Sequence, residues 1–245
     1  MIKIIAHRGF SGNYPENTLL SFQKALETGC DGMEFDLHLS ADGELVILHD
    51  ERLERTTDGT GFVKDFTLAQ LQQRNAGAKF EGGVHGFQPI PTLRQYFELV
   101  KDLPNFITNI ELKTGIFEYP TIEEKTLAMI DEFSLRPNII ISSFNHYTIR
   151  RFRALAADVK LAYLYDGMIV EAGEYAKRNG VECLHPFFPT LTPENYGEMV
   201  RAGREVNTWT VNEPEYLRMV CELGVNGIIT NYPDRAQQCI AQYHR

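Results

Sequence analysis

The sequence predicts an α/β fold in which eight parallel strands close into a barrel surrounded by helices, a TIM (β/α)8 barrel. Short apolar runs alternate with longer segments whose apolar residues recur about every 3.6 residues, as in amphipathic helices. Eight such strand–helix units fit into 245 residues, a length typical of this barrel. A doubly wound open sheet is the rival, but no GxGxxG follows the first strand.

Local patterns predict the elements in chain order. Pro15 suits the first turn of a helix whose apolar residues recur until Gly29, and Gly43 marks a hairpin between the second strand and a short extra strand. The predicted strands cover residues 2–6, 33–39, 45–48, 106–112, 138–142, 160–163, 182–184, 205–210 and 227–230. The predicted helices cover residues 15–29, 67–74, 92–101, 121–133, 146–156, 169–178, 193–201, 214–222 and a last segment ending near residue 243.

Residues 50–88 interrupt this alternation. They contain six glycines, which suit tight turns or mobile segments, and a single short predicted helix. We therefore predict one barrel domain over residues 1–245, with 50–88 as a small insertion subdomain after the second strand, at the rim of the site.

The composition argues against several classes of function. Lys and Arg number 24 against 33 Asp and Glu, and the net charge of −9 disfavours nucleic acid, which needs clustered cations. Apolar runs are too short to span a bilayer and no leader is recognisable, so we expect a cytoplasmic protein without stable membrane association. Four scattered cysteines favour reduced thiols over disulfides or a zinc site. A monomer and a homodimer both stay open.

Charged residues stand at the carboxyl ends of predicted strands, where the loops of such a barrel build a site. Glu34 and Asp36 are two residues apart on one strand, so both point to one side, which we interpret as inward. Glu111 and Lys113 repeat this spacing on the next barrel strand.

Three inward carboxylates repel one another and resist ionisation unless a cation joins them. Oxygen ligands without cysteine suit one Mg²⁺ or Ca²⁺ ion better than zinc. The alternative is a buried salt-bridge network in which Glu34 and Asp36 pair with Arg8 and Lys113. The presence of both motifs on separate strands of one barrel face favours the metal site.

His7 and His49 each follow an apolar strand and are the candidate acid–base pair, because imidazole titrates near neutrality. Arg8 and Lys113 place fixed positive charge beside the predicted metal, a combination that suits a phosphate. Three further residues at strand ends are candidates for contact with substrate: Phe144, His185 and Trp209. For Trp209, core packing and a ligand-facing wall are both open.

The order and spacing of these motifs resemble one known family. The motifs are His7-Arg8-Gly9, Pro15-Glu16-Asn17-Thr18, Glu34-Phe35-Asp36, His49-Asp50, Arg55-Thr56-Thr57, Pro89-Ile90-Pro91-Thr92-Leu93, Asn109-Ile110-Glu111-Leu112-Lys113, Ser143-Phe144 and Trp209-Thr210-Val211-Asn212. From Ile5 to Asp234 the chain resembles the glycerophosphodiester phosphodiesterase family. It departs from the family at Asn231, where the family often has an acidic residue, so Asn231 is not assigned to the metal.

The resemblance implies hydrolysis of glycerophosphodiesters to an alcohol and sn-glycerol 3-phosphate on a TIM barrel. It implies a divalent metal held by Glu34, Asp36 and Glu111, with His7 and His49 as acid and base. It also implies attack by the glycerol 2-hydroxyl and a cyclic phosphate that water opens, as in the similar phosphatidylinositol-type phospholipases. Which histidine is the base, which ion is used and which head group is preferred all stay open.

Two other functions are open at this point. A metal-dependent lyase or isomerase on the same barrel would also use these carboxylates and Lys113, to stabilise an enolate. A non-catalytic phosphate sensor would use Arg8 and Lys113 but would have no need for two histidines and three carboxylates.

Overall fold

The computed structural model describes residues 1–243, in which strands and helices alternate as predicted. The strands are β1 (Lys3–His7), β2 (Gly32–Leu39), β3 (Leu45–Ile47), β4 (Ile107–Leu112), β5 (Ile139–Ser143), β6 (Lys160–Tyr165), β7 (Cys183–Pro186), β8 (Glu205–Thr208) and β9 (Gly227–Thr230). The helices are α1 (Leu19–Thr28), α2 (Leu68–Leu71), α3 (Leu93–Val100), α4 (Ile122–Glu132), α5 (His146–Leu155), α6 (Ala172–Arg178), α7 (Pro193–Arg201), α8 (Pro214–Leu223) and α9 (Pro233–Tyr243).

Within these residues, the parallel strands close into an eight-stranded barrel. Their order is β1-β9-β8-β7-β6-β5-β4-β2, and pairing of β1 with β2 completes the ring. Strand β3 lies outside the ring, antiparallel to β2, as the predicted hairpin requires. The predicted TIM barrel is therefore confirmed.

The two faces of β2 show how the sequence pattern directs packing. Phe35 faces outward into the layer between sheet and helices, where its ring packs against Tyr96 of α3 with centroids 4.4 Å apart. Burying such a side chain contributes about 1.5–3 kcal/mol. Because side chains alternate along a strand, Glu34 and Asp36 must then face the barrel interior. The apolar outer face thus fixes the direction of the acidic residues.

Two helices start later than predicted, for local backbone reasons. Helix α1 begins only after Thr18, whose side chain accepts a hydrogen bond from the Ser21 N–H, while Asn17 has a left-handed φ of 56°. Helix α6 begins after Glu171, which also has a φ of 56°. A left-handed residue cannot belong to a right-handed helix, so each helix starts beyond it.

Residues between β3 and α3 build a small core of their own, beside the main core around the barrel. Its buried members are Val46, Leu48, Leu53, Val63, Leu71, Ala76 and Ile90. Since Val46 and Leu48 come from β3 and its end, this segment is anchored on the hairpin next to β2. Over residues 1–243, no helix is long and apolar enough to cross a bilayer.

Candidate active site

Strand register brings the predicted site residues together. His7 of β1 pairs with Glu34 of β2, and Glu34 pairs with Asn109 of β4. Two residues further towards the carboxyl end, Asp36 pairs with Glu111. Residues 7, 34, 36, 109 and 111 therefore lie in adjacent layers of the same end of the barrel.

The carboxylates of Glu34, Asp36 and Glu111 converge, with one oxygen of each within 4.8 Å of the others, and all three residues are buried. Burial, followed by the charges of Asp36 and Glu111, raises the pKa of Glu34 well above its usual value. Burial also raises the pKa of Glu111. At Asp36 burial is outweighed by nearby positive groups, chiefly Arg8, which hold the pKa of that carboxyl below its usual range.

Two cations face this trio. Arg8 Nε lies 3.3 Å from Asp36 Oδ2, and Lys113 Nζ lies 2.8 Å from Glu111 Oε1. These are contacts that a salt-bridge network would make. However, two cations leave one of the three carboxylates uncompensated, and Asp36 Oδ1 has no hydrogen-bond partner within residues 1–243. The donor set therefore fits a hard divalent cation, which would turn a local excess of negative charge into an excess of positive charge.

Arg8 is held in an unusual backbone conformation. Its φ is 54°, in the left-handed region that residues other than glycine seldom adopt, and its N–H donates to the Glu34 carbonyl oxygen over 2.8 Å. Its side chain also donates to Glu16 Oε1 over 2.9 Å. Strain of this kind persists where surrounding contacts hold it, often at functional sites.

His7 is a half-buried imidazole at the end of β1. Its Nε2 atom lies 3.8 Å from Glu34 Oε2, and its Nδ1 atom lies 2.6 Å from Asn231 Oδ1. Burial, and then the charge of Arg8, lower its pKa to about 3. A ring that is neutral at pH 7 can accept a proton at one nitrogen.

His49 has different partners. Its Nδ1 atom lies 2.5 Å from Asp50 Oδ1, and its Nε2 atom lies 3.4 Å from Lys113 Nζ. The buried His38 ring contacts the His49 carbonyl oxygen through Nε2 over 3.2 Å, and its Nδ1 lies 3.1 Å from the Tyr119 hydroxyl. His38 thus fixes the backbone of His49, as expected for a residue behind the site.

A cavity of about 70 Å³ lies between these groups. Its polar side includes His7, Arg8, Glu34, His49 and Glu111, and its apolar side includes Phe144, Leu164, Trp209 and Ile229. In this measure one water molecule needs about 10–15 Å³, so the cavity has room for a small group such as phosphoryl. A larger ligand would have to extend out of its mouth.

Phe144 and Trp209 form the apolar wall of the cavity. Their rings meet edge to face with centroids 5.5 Å apart, and Phe144 is 44% exposed. The Trp209 Nε1–H donates to the His185 carbonyl oxygen over 2.7 Å, which fixes the orientation of the indole. Trp209 lines the cavity, and its contact with substrate stays a prediction.

This geometry agrees with comparisons to known proteins. A sequence model described as the glycerophosphoryl diester phosphodiesterase family matches residues 7–235. The chain belongs to this family. This match confirms the resemblance seen in the motifs. The chain is therefore a hydrolase of the phosphodiesterase class.

Members of the glycerophosphoryl diester phosphodiesterase family match over almost the whole chain. The glycerophosphodiester phosphodiesterase of Caldanaerobacter subterraneus is 44% identical over 231 residues, 94% of each chain. That of Bacillus altitudinis is 39% identical, covering 96% of this chain and 97% of the other. A phosphodiesterase of Oleispira antarctica, solved with the product sn-glycerol-3-phosphate, superposes with a TM-score of 0.87 at 29% identity, covering 98% and 96% of the two chains.

His185 lies apart from the other site residues of this family member. It is fully buried, its Nε2 atom lies 3.0 Å from Asn207 Nδ2, and it is not among the residues that line the cavity within the described chain. Because its side chain points into the barrel, only its carbonyl supports the site, through Trp209. His185 therefore supports the wall of the cavity, and its contact with substrate stays a prediction.

A larger hollow, of about 340 Å³, lies at the opposite, amino-terminal end of the barrel. Its charged side chains are already paired: Lys160 Nζ lies 2.9 Å from Glu205 Oε1, and Lys3 Nζ lies 2.8 Å from Asp31 Oδ1. It lacks the converging carboxylates and histidines of the smaller cavity, which is therefore the candidate active site.

Several residues that hold the site were not assigned a role from the sequence. Asn17 Nδ2 donates to Asp36 Oδ2 over 2.9 Å, while Asp50 and Asn231 contact the two histidines. All three residues belong to or adjoin family motifs, and this position was the only indication in the sequence that they have a role in the site. Their partners could not be read from spacing, because Asn231 and His7, for example, are 224 residues apart.

Proposed function

We propose that the chain hydrolyses glycerophosphodiesters to an alcohol and sn-glycerol 3-phosphate. The observation that carries this proposal is the grouping of two imidazoles, three carboxylates and two cations at or directly behind the wall of one cavity of phosphoryl size. The product bound to the Oleispira antarctica relative supports the same chemistry. With a net charge of −9, the chain is also better suited to a small substrate than to nucleic acid.

The carboxylates of Glu34, Asp36 and Glu111 would hold one divalent cation, Mg²⁺ or Ca²⁺, since both ions prefer oxygen ligands. When bound, such an ion supplies charge to a phosphate oxygen and lowers the pKa of a coordinated hydroxyl. The three carboxylates are buried and mutually repulsive, which supports a cation as their partner.

Arg8 and Lys113 would bind the non-bridging oxygens of the phosphodiester. Both side chains line or adjoin the cavity and are mostly buried, with exposed fractions of 16% and 13%. Positive groups fixed in a site of low water content stabilise the extra negative charge that develops at phosphorus in the transition state. Their present carboxylate partners keep them in place before the substrate arrives.

His7 and His49 would move the protons. In the first step a histidine takes the proton of the glycerol 2-hydroxyl, the oxygen attacks phosphorus, and the other histidine protonates the departing alcohol. In the second step water attacks the cyclic phosphate with the two histidines in exchanged roles, which restores their starting protonation. The contact of Nδ1 with Asn231 leaves Nε2, which faces Glu34, as the nitrogen that can take a proton, and this favours His7 as the first base.

The insertion subdomain, residues 50–88, would contact the head-group alcohol. A cavity of about 170 Å³ separates it from the segment after β1, with Ser11 and Glu16 on one side and Arg55, Lys79 and Phe80 on the other. The phosphoryl-sized cavity is too small to hold the head group as well, so the head group must extend beyond it. This rim cavity is the space that the insertion makes available.

A metal-by-substrate matrix tests the proposal. Purified protein is stripped with a chelator, then supplied with Mg²⁺ or Ca²⁺ and with choline, ethanolamine or glycerol diesters of glycerol 3-phosphate. We expect release of glycerol 3-phosphate that requires one of the two ions. A lyase or isomerase would release none, and a phosphate sensor would bind the diesters without turnover.

A further inference from the structure

Arg55 occupies a central position in a chain of charged groups beside the cavity. Its Nε and Nη2 atoms donate to the Asp50 carboxylate over 2.6 and 3.0 Å. Its Nη1 and Nη2 atoms donate to the Glu16 carboxylate over 2.9 and 2.8 Å. One guanidinium therefore forks onto two carboxylates, and Nη2 serves both.

Each of these carboxylates holds a group of the candidate active site. Glu16 Oε1 also accepts a hydrogen bond from Arg8 Nη1 over 2.9 Å. Asp50 Oδ1 lies 2.5 Å from His49 Nδ1. Arg55 lines the rim cavity but not the phosphoryl-sized cavity, so its contacts with the reacting groups run through these two partners.

The backbone around Arg55 is fixed by the small core of the insertion. Leu53 and Thr57, on either side, are fully buried. The Leu53 N–H donates to the Gly61 carbonyl over 3.0 Å, and the Thr57 N–H donates to the Leu53 carbonyl over 3.0 Å. This turn presents Arg55 outward from the insertion towards Glu16, which belongs to the segment following β1.

Isolated surface ion pairs contribute little, but this arrangement differs from one. Both contacts are two-pronged, which restricts the orientation of the partner as well as its distance. Glu16 and Asp50 are only 21% and 28% exposed. Each carboxylate is shared between Arg55 and a site residue, so moving Arg55 would alter both partners at once.

We propose that Arg55 is a positioning residue that orients Arg8 through Glu16 and His49 through Asp50. The anion-binding guanidinium and the acid–base imidazole thereby keep a fixed separation, although they come from different segments. The inference rests on the proposed function for its kinetic readout, and it assigns the insertion a second task besides contact with the head group.

Kinetics of Arg55→Ala, Arg55→Gln and Arg55→Lys test the proposal with protein loaded with Mg²⁺ or Ca²⁺. We expect kcat to fall about tenfold or more, with KM changed less than about threefold, because bound substrate is misaligned rather than released. Lysine should not restore activity, since an ammonium lacks the planar fork. Added guanidinium ion should partly rescue Arg55→Ala. The matched control is Arg52→Ala, a neighbouring arginine paired with Glu54.

Repeating the Arg55→Ala substitution in a variant that lacks both partner carboxylates separates a positioning role from a general loss of stability. In a Glu16→Gln, Asp50→Asn double variant, Arg55→Ala should cost little further activity, because its route to the site is already removed. An undiminished cost in that background, or wild-type kcat in all three single variants, would overturn the proposal.

The ring resonances of His49 provide a readout that needs no turnover. In ¹⁵N–¹H NMR of otherwise folded protein, Arg55→Gln should shift the His49 Nδ1 signal while Arg52→Ala leaves it in place. If the wild-type protein released no glycerol 3-phosphate, the proposed function would fail, yet this shift would still test Arg55. An unchanged His49 signal would contradict the positioning role.

Discussion

His7 Nδ1 meets the side-chain oxygen of Asn231 at 2.6 Å, whereas the equivalent nitrogen of His49 meets the carboxylate of Asp50. An amide oxygen accepts a hydrogen bond from Nδ1–H without adding negative charge, so it orients a neutral ring with Nε2 free. At His49 the partner of Nδ1 is a charged carboxylate instead. The two imidazoles are therefore held by chemically different groups, consistent with His7 as the first base.

Replacing Asn231 tests this orientation. Asn231→Leu removes the acceptor, so we expect kcat to fall at least tenfold with KM little changed, as when a proton-transfer group loses alignment. Asn231→Asp keeps an acceptor and should retain more activity. In the wild type, ¹⁵N NMR should show Nε2 of His7 unprotonated, and a proton on Nε2 would refute the orientation.

Alanine substitution of either histidine should abolish most turnover. General acid–base groups contribute about a hundredfold to ten-thousandfold, so we expect losses in that range for both His7→Ala and His49→Ala. Neither histidine belongs to the trio of carboxylates that would hold the metal, so calorimetric titration of both variants should still detect Mg²⁺ or Ca²⁺ binding. Turnover close to wild type in either variant would remove that residue from the mechanism.

Neutralising Glu34 should separate stability from metal binding. Glu34→Gln relieves repulsion among buried carboxylates, so the metal-free protein should unfold at a higher temperature. The same variant should lose the stabilisation that metal provides, which is about 2.7 kcal/mol at a concentration 100 times Kd in the wild type. Thermal unfolding with and without metal measures both effects. The control is Glu98→Gln, at an exposed position of helix α3. A Glu34→Gln variant that kept the metal-induced stabilisation would argue against Glu34 as a ligand.

The buried His185 should make the protein sensitive to acid. Burial lowers its pKa to about 3, so between that pH and the usual value near 6.5 the unfolded chain binds a proton that the folded chain does not. Stability contributed by the neutral ring is therefore complete above about pH 6.5 and falls as the pH decreases, by up to about 1.4 kcal/mol per unit. Denaturant unfolding measured from about pH 4.5 to about pH 6.5 should show a shallower dependence of stability on pH for His185→Gln than for the wild type. The partly exposed His85 provides the control, His85→Gln, and equal slopes for wild type and His185→Gln would contradict the prediction.

Head-group preference should respond to changes in the rim cavity. Phe80→Ala and Lys79→Ala alter its insertion side without touching the groups that surround the phosphoryl-sized cavity. We expect kcat/KM for choline, ethanolamine and glycerol diesters to change relative to one another, while the metal requirement is unchanged. A uniform change across the three diesters would place the head group elsewhere.

Much of this protein could be predicted from local pattern. The alternation of strands and helices, the inward direction of Glu34 and Asp36 and the position of the hairpin depend on spacing along one segment. Apolar residues such as Phe35 must be buried against helices, and the period of a strand then turns their acidic neighbours towards the axis. The family could likewise be recognised, because its motifs are short and ordered.

The partners of the site residues could not be predicted in this way. Asn231 meets His7, Arg55 meets Glu16, and His185 lies beneath the site although it ends a strand like the residues that line it. Closure of the barrel and the strand register set these contacts, both of which join segments far apart in the chain. Hydrophobic spacing specifies which face of an element is buried, but the choice among polar partners depends on distances that exist only after the barrel has closed.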